Sequence, residues 1–593
     1  MNINDWLVKF LVWRMKHISN NNFILMLSGV VGIIAGFAAV TLKGSVHIIH
    51  NFLVNTIEDK TGINFLYLLY PMIGIIITVI VSKYFLRQRL GHGITQVLFY
   101  ISKRSSIVRR SMMYSRMITS AITVGFGGSV GLEAPIVVTG SAIGSNLARL
   151  THLNYKKRTL LIACGAAAAI SAIFNSPIAG VIFAIEVILT DVTINKFIPI
   201  LLSSVTGALV SLSLSEDAVL FSFKLKDPFL AEHVHYFIFL GITCGIVSVH
   251  FTRLTYLIEK QINKIKNDWN RALLGGIGLA LIILTFPVMY GEGYDIIKQL
   301  LLGNDSVIFN NSLIYGSGTD HTLLIIILLL AILVIKPVAS ALTIGAGGSG
   351  GIFAPSLFMG GIAGYLYATV VNSVFSVNIS TSNFTLVGMC GVMSGVLHAP
   401  LTAIFLIAEI TGGYTLFVPL MLVSAIAFTT ISYFEEHSLY TKSLIEKGDL
   451  IQYNKDRQVL SMMKMKKLIE SDLLTIRYDA KLEDLVKLVK KSKRNIYPVL
   501  NHDGGLEGIV TLDDIRETMF DEEARNRIII SEVMTRPPAE VSPMDSMEEV
   551  MNKFQVTQAW NLPVIENEKY LGFLSKSRIF NAYRTKLINQ DKD

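Results

Sequence analysis

Apolar residues fill the first three quarters of the chain in blocks too long for a soluble core, and the polar joints between them are short. Phe23 to Leu42 is an uncharged stretch of twenty residues and Leu160 to Ile185 one of twenty-six, where about 20 apolar residues carry an α-helix across a bilayer. Other blocks are shorter or broken. Thr322 to Ile335 is a dense Leu/Ile run ending at Lys336-Pro337, and glycine-rich tracts interrupt the segments near Gly127 and Gly347. Those interruptions predict partial or tilted helices, because irregular backbone at membrane depth is tolerated only inside protein or beside a water-filled cavity. Residues 1–20 begin MNINDWLVKFLVWRMKH, mixing Trp, Leu and Phe with Lys and Arg, which predicts an amphipathic cytosolic surface helix. No short apolar core with a small-residue cleavage site is present there, so a cleaved signal is not expected.

After Tyr440 the pattern changes. From Lys464 charges are frequent, and short strand-like runs such as NIYPVL and EGIVTL alternate with helical patterns such as LEDLVKLVKK, which predicts a soluble α/β region. It divides into two units, IYPVL with a turn at Asp503-Gly504-Gly505 and GIVTLDDI, then NLPVI with a turn near Asn567 and LGFLSKSRI. The expected organisation is a membrane domain over 21–440, a linker over 441–463, and two tail units over 464–522 and 528–593.

With 52% hydrophobic and only 16% charged residues among 593, and a mean hydropathy of +0.53, a soluble multidomain enzyme is excluded. The net charge of +8 is partly concentrated in Lys103, Arg104, Arg109 and Arg110 and in Lys156, Lys157 and Arg158. In a bilayer protein such clusters set orientation by the positive-inside rule, and no nucleic-acid partner is expected. Cys164, Cys244 and Cys390 lie in apolar segments without paired spacing, giving neither a disulfide framework nor a metal site.

The membrane part repeats itself. GGSVGLEAP at Gly127 to Pro135 returns as GGSGGIFAP at Gly347 to Pro355 with six of nine positions identical, and NSPIAGVIFAIE (Asn175 to Glu186) and HAPLTAIFLIAE (His398 to Glu409) share the proline and the terminal glutamate. Repeated halves with Gly/Pro-broken apolar segments are the signature of folds that hold an ion near the bilayer midplane on the ends of half-helices. Each motif can aim unpaired backbone N–H groups at an anion. Glu133 lies inside the first tract, where an intramembrane carboxylate costs roughly 2.5 to 3.5 kcal/mol on insertion scales. At the start of a half-helix its charge is favoured, and the same place favours an anion when the side chain leaves. A gate competing with the transported ion and a helix cap are both consistent with that position.

GGIFAP at Gly350 to Pro355 matches the GxFxP signature of the CLC chloride channels and proton-coupled exchangers, and GLEAP at Gly131 to Pro135 resembles that family's GxEGP element. GHGIT at Gly91 to Thr95 is similar to its first anion-binding element, usually GSGIP, and Tyr440 in SLYTKSL falls at its inner pore tyrosine. The two tail units resemble a pair of CBS domains. This resemblance implies an all-α polytopic membrane protein of two inverted repeats followed by a cytosolic α/β CBS pair. It implies Glu133 as gate and His92, Gly93, Ile94, Ile352, Phe353 and Tyr440 as anion-binding residues. It further implies a homodimer in the lipid bilayer with one pore per subunit, both termini cytoplasmic, chloride as the transported ion, and no required cofactor.

Three departures change the picture. His92 replaces a serine and Thr95 a proline, so either an imidazole N–H or the Gly91 to Ile94 backbone serves the ion. Leu132 and Ala134 flank the gate in place of a basic residue and a glycine. In FAIEVIL, Glu186 aligns with the first of two glutamates found in proton-coupled members, and Val187 occupies the internal proton position. Valine carries no proton, which favours a channel over the alternative, a proton-coupled exchanger. Glu186 and Glu409 are repeat partners, and a structural hydrogen-bonding role is expected of each. In the tail, Thr511 and Asp514 match the pattern that holds a nucleotide's ribose, whereas Ser575 is followed by Arg578 in place of the second aspartate. One adenine-nucleotide site or a purely structural tail is therefore expected. A membrane enzyme is disfavoured because no clustered metal constellation or nucleophile motif appears. A non-transporting sensor with a CBS tail is the alternative from another class.

Overall fold

The computed structural model describes residues 3–55, 65–88, 91, 93–189, 194–214, 229–309, 321–446, 460, 463 and 465–592. The chain forms two compact units, Met1–Leu450 and Ile451–Asp593. In the first, the α-helices are α1 (Ile3–His17), α2 (Asn20–Asn55), α3 (Phe65–Ile80), α4 (Gly93–Lys103), α5 (Met112–Gly125), α6 (Glu133–Leu150), α7 (Tyr155–Phe174), α8 (Pro177–Phe183) and α9 (Ile194–Leu214). There follow α10 (Val234–Ile262), α11 (Asp268–Thr285), α12 (Tyr294–Leu301), α13 (His321–Gly345), α14 (Phe353–Phe375), α15 (Thr381–Leu397), α16 (Pro400–Ile410), α17 (Phe417–Phe434) and α18 (Leu439–Glu446). Among the described residues, eight helices are long and apolar enough to cross a membrane.

Two apolar blocks behave differently from their composition. Leu160 to Ile185 is not one span: α7 ends at Phe174, Asn175 turns left-handed at φ 55°, and α8 restarts at Pro177. Proline has no N–H to continue the ladder and pushes Ser176 out of the helical region. Beyond α8 the backbone widens into a π-helical turn over Ala184–Ile188. Pro337, in contrast, stands inside α13, which runs on to Gly345.

The sequence repeat is a repeat of hydrogen bonds. Gly131 and Gly351 exchange both backbone N–H···O bonds, at 2.9 and 2.8 Å, as an antiparallel pair. Ser349 N–H donates to the Thr123 hydroxyl (3.0 Å) while Ser129 N–H donates to the Thr343 hydroxyl (3.3 Å). The Ser171 hydroxyl donates to the Ser204 carbonyl and that of Ser204 to the Pro177 carbonyl; Ser394, Ser424 and Pro400 repeat the chain in the second half. Crosswise exchange of this kind relates the halves by a local two-fold axis, so equivalent elements run in opposite directions. Small residues let equivalent helix pairs approach closely. A Cβ at Gly140 would lie 2.2 Å from the Gly165 carbonyl between α6 and α7, and one at Gly360 would lie 2.4 Å from the Gly388 carbonyl between α14 and α15.

The second unit holds two small sheets. Strands β1 (Ile476–Arg477), β2 (Ile496–Leu500) and β3 (Leu506–Thr511) form one, with β1 parallel and β3 antiparallel to β2. Strands β4 (Asn561–Glu566) and β5 (Lys569–Ser575) form an antiparallel hairpin whose two turn residues, Asn567 and Glu568, are both left-handed. The two repeat cores exchange their leading segments. Met463, Met465 and Leu468 pack with Val550, Phe554 and Leu574 of the second repeat, whereas Ile530 packs with Leu485 and Val510 of the first.

Candidate anion site

The two tracts put two helix N-termini face to face. Neither Leu132, which precedes α6, nor Ile352, which precedes α14, makes a side-chain capping bond, and both are buried. The first N–H groups of a helix have no partner within it, so two buried, uncapped termini require an acceptor. Glu133 is 1% exposed. Its Oε1 accepts from the Tyr294 hydroxyl at 2.5 Å, and its Oε2 is buried without a hydrogen-bond partner. A Cβ on Gly131 would lie 2.0 Å from that oxygen and 2.7 Å from Ala354 Cβ. Gly131 thus leaves room for the carboxylate beside the first turn of α14.

A third terminus joins them. At the start of α4, a Cβ on Gly93 would lie 3.0 Å from the Ala134 carbonyl, and Ile94 is fully buried. Tyr440, on α18, is 2% exposed, its hydroxyl has no partner, and it lies within electrostatic reach of Glu133. Thr95 pins it there: its hydroxyl donates to the Tyr440 carbonyl at 2.9 Å. That bond is a consequence of Thr95 standing where a proline would offer no hydroxyl. The Phe353 ring stacks obliquely on Phe174 and meets Phe183 edge-on, with centroids 5.4 and 6.5 Å away. His92 lies outside the described residues.

Two buried cations border this site and were not singled out from sequence. Arg116 (3% exposed) donates to Gln96 Oε1, and Lys336 (0%) donates to the Ser129 hydroxyl at 2.8 Å and stands over the Phe358 ring. Each lies seventeen positions before the residue that opens its half-helix, Glu133 or Phe353, so they are repeat partners. Among the described residues, neither has a carboxylate within ion-pair distance. Positive charge held in an apolar interior without a direct ion pair favours a nearby anion. Aligning the two halves on their half-helix starts would have found them.

Glu186 and Glu409 cap each other's half. Glu409 accepts from Ile178 N–H (3.0 Å) and Ala179 N–H (2.8 Å) at the start of α8. Glu186 accepts from Leu401 N–H (3.1 Å), Thr402 N–H (2.8 Å) and the Thr402 hydroxyl (2.7 Å) at the start of α16. Both carboxylates are spent on helix ends, the structural role their repeat positions suggested. Val187, next in the π-helical turn, is half-buried against the core. In the tail, Asp514 Oδ2 accepts from both Thr511 N–H and the Thr511 hydroxyl at 2.7 Å and stays exposed, whereas the Ser575 hydroxyl donates to buried Glu470.

A membrane unit of inverted repeats with uncapped half-helix ends around a buried carboxylate defines an ion-transport fold. The family description "Voltage gated chloride channel" matches residues 73–432, and "CBS domain" matches residues 465–521 and 530–585. The chain belongs to the voltage-gated chloride channel (CLC) family and carries a CBS pair. It is 25% identical to the chloride channel protein CLC-f of Arabidopsis thaliana, over 86% of this chain and 72% of that one. To the H(+)/Cl(-) exchange transporter ClcA of Vibrio cholerae it is 28% identical, over 68% and 84% respectively. Among solved structures it superposes on a slow cyanobacterial Cl-/H+ antiporter with TM-score 0.61 (20% identity, 72% and 98% covered) and on a eukaryotic CLC transporter with TM-score 0.58 (19%, 94% and 97%).

Proposed function

We propose that the protein passes chloride across the bilayer in a channel-like manner, through a pore lined by the α4, α6 and α14 N-termini and by Tyr440, with Glu133 as its gate. The observation that carries this reading is the free Oε2 of Glu133, buried beside two uncapped half-helix ends. A carboxylate there occupies an anion's place, and its departure leaves backbone and hydroxyl donors that suit a large, weakly hydrated ion. Gly93, Ile94, Ile352 and Phe353 supply backbone donors, and Arg116 and Lys336 add attraction from a distance.

Orientation follows from charge. From the Thr95–Tyr440 contact α4 leads to Lys103 and Arg104, and the same face gathers Arg158, which donates to the Ser105 carbonyl, and Tyr155, which donates to the Ile101 carbonyl. That basic face is cytoplasmic by the positive-inside rule, placing Tyr440 at the inner and Glu133 at the outer side, with both termini in the cytoplasm. A homodimer with one pore per subunit accompanies this reading. In the tail, Thr511 and exposed Asp514 suit the diol of one adenine nucleotide, while Glu470 already occupies Ser575.

Val187 is the basis for a channel over an exchanger, since an apolar interior passes protons only along titratable groups or ordered water. Glu186, the nearest carboxylate in sequence, is committed to α16. Reconstituted protein with chloride and proton electrodes tests the proposal: chloride should run down its gradient with little uphill proton movement. Robust chloride-driven proton uptake abolished by Glu133→Gln would establish an exchanger instead. No chloride flux at all would leave the sensor reading. Where proton uptake is absent, Val187→Glu alone should not restore it, because Leu132, Ala134 and His92 depart from the family pattern as well.

A further inference from the structure

The loop between α11 and α12 brings a second carboxylate to the mouth of the site. Glu292 Oε1 accepts from Leu132 N–H at 3.0 Å, the backbone donor immediately before the gate residue. Two residues later, Tyr294 donates its hydroxyl to Glu133 Oε1. The end of this loop and the first residue of α12 therefore touch the gate carboxylate and the amide beside it. The loop is locked to its position: Gly291 N–H donates to the Gly127 carbonyl at 3.1 Å, and Gly293 is left-handed at φ 86° against the Phe358 ring.

A carboxylate accepting from a helix-terminal amide stands where an anion would stand. Glu133, nine-tenths and more buried, lies beside those helix ends with one unpartnered oxygen, and Glu292 accepts from the amide one residue before it. The charged and titratable groups around Glu292 are Lys43 and His50 of α2, Glu133 of α6, Tyr290 of its own loop, Tyr294 and Asp295 of α12 and Lys336 of α13. Like charges in so small a volume repel, so the state of one acid biases the other.

We propose that Glu292 is a second gating carboxylate: it holds the Leu132 amide against incoming anion, and its protonation or displacement from the outer side must precede or accompany that of Glu133. The inference rests on the chloride-pore reading above. An entering anion then meets two competing carboxylates in series. Protonation of Glu292 by the outer solution frees the Leu132 amide, and loss of its charge eases the repulsion that positions Glu133.

The test compares chloride efflux from proteoliposomes holding wild-type, Glu292→Gln, Glu133→Gln and doubly substituted protein, with outer pH varied and inner pH fixed. Wild-type flux should rise as the outer solution is acidified. Glu292→Gln should raise flux at neutral outer pH several-fold and flatten the profile, Glu133→Gln should retain a residual dependence, and the double variant should lose it. A Glu292→Gln profile superimposable on wild type, or one scaled without change of shape, overturns the proposal and leaves Glu292 a loop-holding residue. Size-exclusion and thermal-unfolding controls report folding. If Glu292→Gln fails them, Glu292→Asp, which keeps the charge on a shorter stem, should keep a titrating profile while lowering the outer chloride needed for half-maximal flux. An unchanged requirement overturns the proposal. Absent flux in wild type counts against the pore reading, and calorimetry then decides for Glu292: chloride should bind Glu292→Gln several-fold more tightly than wild type at neutral pH, and equal affinity sinks the proposal.

Discussion

Glu133 owes its position to what its neighbours lack. Gly131 has no side chain, so the carboxylate folds back over it; Leu132 and Ile352 offer no capping oxygen of their own to the two helix ends. Replacing Glu133 by Gln keeps the volume and removes the competing charge. Chloride occupancy should rise and flux should lose most of its pH dependence, and unchanged flux and pH profile would reduce Glu133 to a cap. Gly131→Ala acts on the same oxygen, because its Cβ would stand 2.0 Å from Oε2, well inside contact. The side chain must swing out, and the variant should approach the Glu133→Gln phenotype with the carboxylate intact; a wild-type flux would show that the carboxylate has another resting place. Tyr440→Phe removes the unpartnered hydroxyl while keeping the ring packed. Calorimetry should register a loss of about 0.5 to 1.5 kcal/mol of chloride binding, the net worth of one hydrogen bond. Unchanged affinity would move the inner site elsewhere. Glu133 stood out in the sequence because motif and chemistry coincide there, Tyr440 only through the family resemblance, and Gly131 only as part of the GLEAP motif. Arg116, Lys336, Glu292 and Tyr294 did not stand out, since their significance lies in contacts between segments far apart in the chain, and a lone charge in an apolar run does not announce its neighbour.

At the level of elements, the paired caps show why the fold tolerates so many broken helices. The short helices α8 and α16 begin at prolines after left-handed residues, Asn175 and His398, and their leading N–H groups have no partner within the helix. Each takes a carboxylate from the other, at 2.7 to 3.1 Å. Hydrogen bonds to charged groups contribute about 1.5 to 3 kcal/mol each, and leaving a buried donor unmatched costs a comparable amount. Glu409→Gln should therefore cost less than Glu409→Ala, and the alanine variant should lower the unfolding temperature by several degrees with pore selectivity retained. Removing Glu186 as well should cost less than the sum, because both caps brace one α8–α16 contact and neighbouring sites are not additive. Strict additivity would show that the two ends are independent. The repeat itself was readable at Asn175 to Glu186 and His398 to Glu409, but the crosswise exchange was not: similarity along a chain says that two segments fold alike, and not that each completes the other. The same limit made Leu160 to Ile185 read as one long apolar block, since hydropathy does not register a left-handed residue before a proline.

On the scale of the whole molecule, the chain is a lipid-embedded unit and a separately cored tail, and the tail's own packing decides how much of it folds alone. A length of about 140 residues is enough to bury an independent core, and both tail cores are built from the tail's own residues. The strand and turn pattern was legible because in both repeats short apolar runs bounded by turn residues alternate with helical patterns. The exchange of leading segments was not, because Met463 and Met465 stand next to the first repeat in sequence and pack on the second in space. Two fragments separate these views. One beginning at Ile451 retains Met463, which is 7% exposed and part of the second core; one beginning at Met465 lacks it. Large-to-small changes at buried methionines cost about 2 to 5 kcal/mol, so the shorter fragment should unfold at a lower temperature and lower denaturant concentration while keeping the same sheet content. If the two unfold together, the exchanged segment contributes little. The longer fragment should also bind at most one equivalent of adenine nucleotide by calorimetry. Asp514→Ala should weaken that binding, whereas Arg578→Ala should leave it unchanged, since Ser575 is already held by Glu470. Two equivalents, or binding insensitive to Asp514, would place the nucleotide in a cleft other than the one Thr511 and Asp514 form.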